Sequence, residues 1–271
     1  MIATLGRRAI LGIYALLIAV PLLVVLLGSV RSTQDLFAHP LGLPSSVKLD
    51  NYGEVLQGQD MLTAFRNSVV VTGCAVVLTL LLASLASYAV ARIPGWRGWL
   101  IYGFLVLGMA VPAQANMIPQ YVTFDVLGLT DSLTGLVLIE TVVTLPVAVF
   151  ILTGFMRTLP HELFEASSVD GAGPWRVYRS VVLPLSTPSV AATAIFLLVI
   201  QWNDLLYPLL FIQDPAKKTV PLALLDFQGE FLTNYPLLFT GVVIASAPLV
   251  VTYVFLQRYF VAGMTAGAVK G

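Results

Sequence analysis

The 271-residue chain carries 14 basic and 14 acidic side chains, so its formal net charge is zero. Hydrophobic residues make up 58% of the chain and charged residues 10%, and the mean hydropathy is +0.91. Because soluble domains usually carry about a quarter charged residues, this composition excludes an ordinary soluble protein. The neutral balance offers no basic surface for nucleic acid, and the single cysteine excludes an internal disulfide.

Long apolar stretches follow one another along the chain. A helix needs ~20 apolar residues to cross the hydrocarbon core of a membrane. The predicted transmembrane helices cover about residues 9–30, 67–91, 98–118, 132–156, 186–210 and 237–257. The first is expected to be retained, because its apolar run is too long for a signal peptide and no cleavage site follows it. We therefore predict an all-α polytopic membrane protein with six transmembrane helices, forming a single transmembrane domain over residues 1–271.

The positive charges predict the orientation. Short cytoplasmic loops carry an excess of Lys and Arg. With both termini inside, nine of the 14 Lys and Arg residues fall on the cytoplasmic side. Both termini are therefore expected in the cytoplasm, with residues 258–271 as a C-terminal tail.

The longest cytoplasmic connection, residues 157–184, carries helix signals of its own. Pro160 is placed to begin a helix and Gly171 to end it, and Pro174 begins a second one that runs to Leu183 and Pro184. Proline at a helix start and glycine just past its end is the expected asymmetry. We predict two short helices that meet at a glycine.

A spaced motif occupies the same segment. Residues 165–184 begin Glu-Ala-Ser, reach glycine after three further residues, and after nine more end Val-Val-Leu-Pro. This resembles the signature of ABC importer permeases, which reads Glu-Ala-Ala, three residues, Gly, nine residues, Ile-x-Leu-Pro. The positions in register are Glu165, Ala166, Gly171, Leu183 and Pro184, whereas Ser167 and Val181 depart from the pattern. The resemblance implies that residues 157–184 form a coupling loop, whose first helix sits in a groove of a partner ATPase.

Other segments resemble the carbohydrate-uptake permeases of the maltose type, in particular the shorter permease of the pair. The resembling segments include Ser84–Arg92, Trp202–Asp204 and the ending Gln257–Gly271. The family implies half of a translocation pathway for a carbohydrate or polyol-type solute, in the inner or plasma membrane of a prokaryote. It also implies a second homologous permease, two ATPase subunits or domains and an extracytoplasmic solute-binding protein as partners.

ATP hydrolysis is not expected in this chain. A phosphate-binding loop needs a lysine directly after a glycine-rich turn, and none of the four lysines follows a glycine. The chain is therefore predicted to be a non-catalytic subunit without a cofactor or metal of its own. ATP and magnesium are expected on the partner ATPase.

Four residues are candidates for the solute pathway. Glu140 is the one ionisable residue in an otherwise apolar run, and such carboxylates usually face the bundle interior or a wet cavity. A structural hydrogen bond to another helix would explain it equally well. Trp202, Asn203 and Asp204 combine an aromatic face with an amide and a carboxylate, which suits a sugar. An interfacial aromatic belt is the alternative for Trp202.

Two other functions remain open from the residues alone. The signature also permits an ABC permease for a peptide or an oxyanion. A secondary transporter driven by an ion gradient is the third hypothesis. That class often has paired repeats with broken helices, and the sequence shows no internal repeat.

Overall fold

The computed structural model describes residues 2–40, 42–58, 60–227 and 233–268. Helices make up nearly all of the regular structure in these ranges, which confirms the all-α class. The α-helices are α1 (Ile2–Gly28), α2 (Thr33–Ala38), α3 (Asp50–Gly58), α4 (Met61–Arg92), α5 (Gly95–Val106), α6 (Ala113–Val126), α7 (Leu133–Met156) and α8 (His161–Val169). They continue with α9 (Pro174–Val177), α10 (Leu183–Leu185), α11 (Thr187–Trp202), α12 (Leu206–Phe211), α13 (Val220–Ala223) and α14 (Tyr235–Ala268).

Candidate membrane spans are either single long helices or bent pairs of shorter helices. Four helical segments are long and apolar enough to cross a membrane by themselves: Gly6–Gly28, Met61–Arg92, Leu133–Met156 and Tyr235–Phe255. Two bent pairs also qualify, namely Gly95–Ala110 with Ala113–Val126, bent by 96°, and Pro174–Leu185 with Thr187–Trp202, bent by 73°. If each pair counts as one span, the described residues hold six, the number that hydropathy predicts.

The predicted third helix, 98–118, is broken. α5 ends at Val106, a 3₁₀ turn covers Leu107–Ala110, and α6 begins only at Ala113. Val111 is extended, with φ −98° and ψ 122°, in line with the proline ring disfavouring the helical region for the residue before it. Pro112 also lacks the N–H that a continuous helix would need.

The predicted fifth helix, 186–210, ends early, at Trp202. The carboxylate of Asp204 accepts the backbone N–H groups of Leu206 and Tyr207, both at 3.2 Å. These bonds start a new helix, α12, because a side-chain oxygen replaces the carbonyl that a preceding turn would supply. The chain therefore leaves the helical path at Asn203 and resumes it at Leu206.

The remaining helix bounds differ less. α7 spans the predicted 132–156, with the Ser132 side chain accepting the N–H of Gly135 as its N-cap. α4 begins earlier than the predicted 67–91, and α1 ends before the predicted limit of 30. α14 continues beyond the predicted 237–257 to Ala268, because no proline follows Pro248. The predicted separate tail is thus helical to Ala268, and residues 269–271 lie outside the described ranges.

Contacts divide the chain into two compact units, whereas the sequence predicts one domain. The first unit comprises residues 1–65 and 218–248, and the second comprises 66–217 and 249–271. Val55, Met61 and Val220 form the centre of the first core. In the second, α7 is central: Ala148, Val149 and Leu152 pack with Ala83 and Leu197. Hydropathy identifies the spans, but it does not show which of them pack together. The candidate site residues all belong to the second unit.

Candidate functional site

Residues 157–184 fold into two short helices that turn at a glycine. α8 begins directly after Pro160, and Pro174 occupies the first turn of α9. Between them, Gly171 has a φ of +68°, in the left-handed region that favours glycine. A Cβ added there would meet nothing within 4 Å. The need for glycine therefore comes from the backbone conformation and not from crowding.

One face of α8 is free of contacts with the rest of its unit. Glu162, Glu165, Ala166 and Val169 are exposed, and Val169 is 88% accessible. Their spacing places them on the same side of the helix. None of the ion pairs in the described part of the chain involves Glu165. We call this surface, formed by Glu162, Glu165, Ala166 and Val169, the free face of α8.

The opposite side of α8 is attached to the unit. Leu163 and Phe164 are half-buried. Phe164 packs against a buried cluster whose members are Tyr88, Met156, Val177, Tyr178 and Val182. The helix is therefore held along one side and open along the other.

Leu183 and Pro184 shape the end of the loop. Residues Tyr178–Val182 form a π-turn in which the Leu183 N–H donates to the carbonyl of Tyr178. Pro184 has no N–H, and its ring would clash with the carbonyl four residues earlier in a regular helix. A wider turn before it relieves that clash. Leu183 then packs against the same cluster as Phe164.

A polar network occupies the interior of the second unit. Glu140 on α7 is only 4% exposed. Its backbone carbonyl accepts the hydroxyl of Thr144 at 2.7 Å, and Thr144 in turn accepts the amide of Gln201 at 2.9 Å. Thr79 on α4 lies 3.3 Å from the Thr144 hydroxyl. The network therefore joins α4, α7 and α11 through uncharged groups.

Glu140 and Asp204 line the same small cavity. Asp204 lies at the break after α11, and Glu140 lies on α7. Its place beside a cavity is compatible with solute contact, and both interpretations of Glu140 stay predictions.

Two cavities border this region. A small one of about 160 Å³ is lined by Glu140, Asp204, Tyr207 and Gln114, among others. A larger one of about 550 Å³ lies along the break between α5 and α6, with Asn116 and Gln120 in its wall. Both are lined by Ala113 and Val143. The Tyr207 hydroxyl donates to Gln120 at 2.8 Å, so polar groups continue from one cavity to the other.

Trp202 and Asn203 are placed differently from the carboxylates. The Trp202 side chain is buried, at 5% exposure. The Asn203 amide donates to the carbonyl of Val199, one turn back on its own helix. The ring face of Trp202 is therefore covered by protein, and neither residue lines the cavity that Glu140 and Asp204 border.

Sequence patterns did not reveal several residues of this region. Thr144, Gln201 and Tyr207 are ordinary in helices, and Tyr88 lies in a segment noted only for its resemblance. Polar residues in an apolar helix cost free energy unless they are paired. The polar character of Thr144 and Gln201 within apolar runs is the signal that could have identified them.

Comparison with known families gives a match over most of the chain. The family model for the binding-protein-dependent transport system inner membrane component matches residues 75–266. The chain is 31% identical to the diacetylchitobiose uptake system permease protein NgcG of Streptomyces coelicolor, over 97% of this chain and 88% of that protein. It is also 31% identical to the melibiose/raffinose/stachyose import permease protein MelC of Bacillus subtilis, over 93% of this chain and 91% of that protein.

A solved structure has the same fold. It is a chain of a bacterial ABC transporter involved in the import of the acidic polysaccharide alginate. The TM-score is 0.84 with 20% sequence identity, and the match covers 96% of each chain. At this identity the likeness concerns the arrangement of the helices.

Proposed function

The chain belongs to the family of inner membrane components of binding-protein-dependent transport systems, and on that premise we propose that it is a permease subunit of an ATP-driven importer for a carbohydrate or polyol-type solute. In this proposal it forms half of the translocation pathway. The names of two similar permeases support a carbohydrate, since one takes up diacetylchitobiose and the other melibiose, raffinose and stachyose.

The free face of α8 is the observation that carries the proposal. A helix held on one side by Phe164 and open on the other can enter a groove on a partner protein. Glu165 and the small Ala166 are exposed there, and Glu165 suits a basic residue in the groove. The Gly171 turn fixes the angle between this helix and the next. In the proposed complex, movement of the ATPase reaches the permease through α8.

The proposed partner subunits provide the functions that this chain lacks, beginning with ATP hydrolysis. Its lysines do not form a phosphate-binding loop. Two ATPase subunits or domains therefore bind ATP and magnesium, and this subunit is non-catalytic. A second homologous permease completes the pathway, and an extracytoplasmic binding protein delivers the solute. The excess of Lys and Arg supports an orientation with both termini in the cytoplasm of a prokaryote, with the chain in the inner or plasma membrane.

The solute pathway is proposed to follow the two cavities. Glu140 and Asp204 border the smaller cavity, and a hydroxyl of a sugar can bond to either carboxyl group. Asn116 and Gln120 offer amides in the larger one. Trp202 and Asn203 line neither of these two cavities, since the ring is covered by protein and the amide is bonded to Val199.

Reconstitution of the complete importer tests the function. The chain, its partner permease, the ATPase and the binding protein would be placed in liposomes with a panel of labelled neutral oligosaccharides that includes raffinose and diacetylchitobiose. We expect uptake of at least one sugar that depends on both ATP and the binding protein. Uptake of peptides or oxyanions instead would contradict the solute class. Uptake driven by an ion gradient without ATP would contradict the importer itself.

A further inference from the structure

The last turns of α4 contact both halves of the coupling loop, residues 157–184. Ser84, Tyr88 and Arg92 are four residues apart and so lie on one face of the helix. They belong to the segment Ser84–Arg92, to which neither the solute pathway nor the ATPase contact gives a role. Ser84 and Tyr88 are buried, whereas Arg92 is exposed at the edge of the contact.

Tyr88 makes the central contact. Its hydroxyl donates to the backbone carbonyl of Pro174 at 2.9 Å and accepts a hydrogen bond from Nη1 of Arg92 at 2.8 Å. Its ring centroid lies 5.4 Å from that of Tyr178. Pro174 and Tyr178 belong to the second half of the loop, so one buried side chain of α4 holds that half by a hydrogen bond and by ring packing.

Arg92 extends the contact to the first half. Its guanidinium lies 5.5 Å from the ring centroid of Phe164, the residue that attaches α8 to the unit. Such a cation–π contact is attractive and directional. Ser84 adds a third point, because its hydroxyl lies 2.8 Å from that of Tyr178. The two helices of the loop are thereby joined to α4 at positions on either side of Gly171.

We propose that Tyr88, with Arg92, is a positioning residue that makes α4 and both helices of the coupling loop move as one body. The inference rests on the proposed function, since it assigns the route by which the displacement of α8 enters the membrane-spanning helices. Without the Tyr88 hydroxyl, α8 and the ATPase still associate through the free face, but the displacement is absorbed at the loop. The expected defect is ATP hydrolysis without matching transport.

The test compares Tyr88→Phe with Tyr102→Phe in the complete reconstituted importer. Both substitutions remove one hydroxyl and keep the ring, but Tyr102 lies on α5. Labelled raffinose and diacetylchitobiose serve as probes within the panel above, and sugar imported per ATP hydrolysed is the readout. We expect a fall of about tenfold for Tyr88→Phe, because two hydrogen bonds are lost. ATP hydrolysis should remain close to that of the wild type, and Tyr102→Phe should match the wild type in both measurements.

Arg92→Lys provides a second variant. Lysine keeps the charge but lacks the planar group that stacks on an aromatic ring. The amount of sugar that Arg92→Lys imports per ATP hydrolysed should therefore lie between the values of the wild type and Tyr88→Phe. A parallel fall of transport and hydrolysis in Tyr88→Phe would show a merely structural role and overturn the inference. If Tyr88→Phe imports as much sugar per ATP hydrolysed as the wild type, the inference is overturned as well. If the wild type imports no sugar of the panel, the proposed function fails, and this inference fails with it.

Discussion

The Nζ of Lys217 lies 3.0 Å from Oδ2 of Asp131, a residue 86 positions earlier in the chain. Oδ1 of the same carboxylate accepts the N–H groups of Gln213 and Asp214, both at 3.0 Å. The N–H of Asp214 has the largest effect and, with Lys217 and Gln213, lowers the pKa of Asp131 to about 2. These bonds join the start of α7 to the segment after α12.

This relationship predicts a pH-dependent stability. A carboxyl group whose pKa is lower in the folded than in the unfolded state stabilises the fold above its unfolded pKa of ~3.9. That contribution disappears as the pH falls through about 2. Asp131→Asn should therefore lower the unfolding temperature at pH 7, and the difference from the wild type should shrink only below about pH 4. Thermal unfolding of both proteins in detergent at pH 7, 5 and 3 measures this difference in unfolding temperature.

Asparagine is a suitable replacement, because Asp131 has a φ of +47° and asparagine tolerates that region nearly as well. Asp170→Asn, at an exposed position of the loop, is the control and should leave the unfolding temperature unchanged. Equal unfolding temperatures for Asp131→Asn and the wild type at pH 7 would show that the bonds to Asp131 contribute nothing.

The free face of α8 predicts a charge-dependent partner contact. Glu165→Lys should abolish transport while the protein still inserts in the membrane. Breaking a partly desolvated charge pair costs ~2–5 kcal/mol, so copurification of the ATPase should fall at least tenfold. A reversed charge on the ATPase should restore part of the activity. Glu54→Lys, at an exposed position of α3, serves as a control for added positive charge. Wild-type uptake by Glu165→Lys would show that the contact lies elsewhere.

The turn at Gly171 predicts an order among substitutions. A left-handed conformation costs most non-glycine residues ~1–2 kcal/mol, β-branched ones more and asparagine less. Because no atom lies within 4 Å of an added Cβ, only this backbone cost applies. Transport should be abolished in Gly171→Val and largely retained in Gly171→Asn, with similar amounts of both proteins in the membrane. Equal transport by the two variants would indicate that the angle between α8 and α9 is unimportant.

The carboxyl pair predicts separate effects on assembly and uptake. Glu140→Gln keeps the shape of the side chain and a group that can donate a hydrogen bond to Asp204, so the folded protein should be recovered in wild-type amounts. Uptake should fall about tenfold, since the glutamine amide cannot ionise and a sugar hydroxyl bonds more strongly to a carboxylate than to a neutral amide. Thr141→Val is the control: its hydroxyl bonds only to Val137 of the same helix, and its uptake should be unchanged.

Asp204→Ala should be more severe. It removes the oxygens that accept the N–H groups of Leu206 and Tyr207, at a cost of about 1 kcal/mol each. We expect less folded protein, measured by size-exclusion chromatography in detergent, together with a loss of uptake. Full uptake in both Glu140→Gln and Asp204→Ala would move the solute contacts to the partner permease.

The sequence was most informative where one residue determines a local structure. The apolar run 132–156 predicts α7 closely, and the prolines and Gly171 predict both helices of the coupling loop. The apolar run 98–118 did not predict the break at Pro112, because a proline can either break a helix or lie within one. Pro119 and Pro146 lie inside intact helices, α6 and α7.

Contacts between distant positions were beyond a single sequence. Tyr88 and Pro174 are 86 residues apart, as are Asp131 and Lys217. Such pairs form only when the helices pack, and packing depends on shape and not on hydropathy. For the same reason the sequence identified Glu140 and Asp204 as polar candidates but did not show that they line the same cavity.

The break between α5 and α6 bears on which solutes the wall of the larger cavity can accept. A helix end leaves carbonyl groups without partners, and a helix start leaves N–H groups without partners. Gly108 and Met109 on one side and Ala113 on the other all line that cavity. A hydroxyl group can donate to the first set and accept from the second, whereas an anion can only accept. We therefore expect the backbone at this break to suit an uncharged polyol, and side-chain substitutions in this wall should alter the choice among sugars more readily than the preference for sugars over ions.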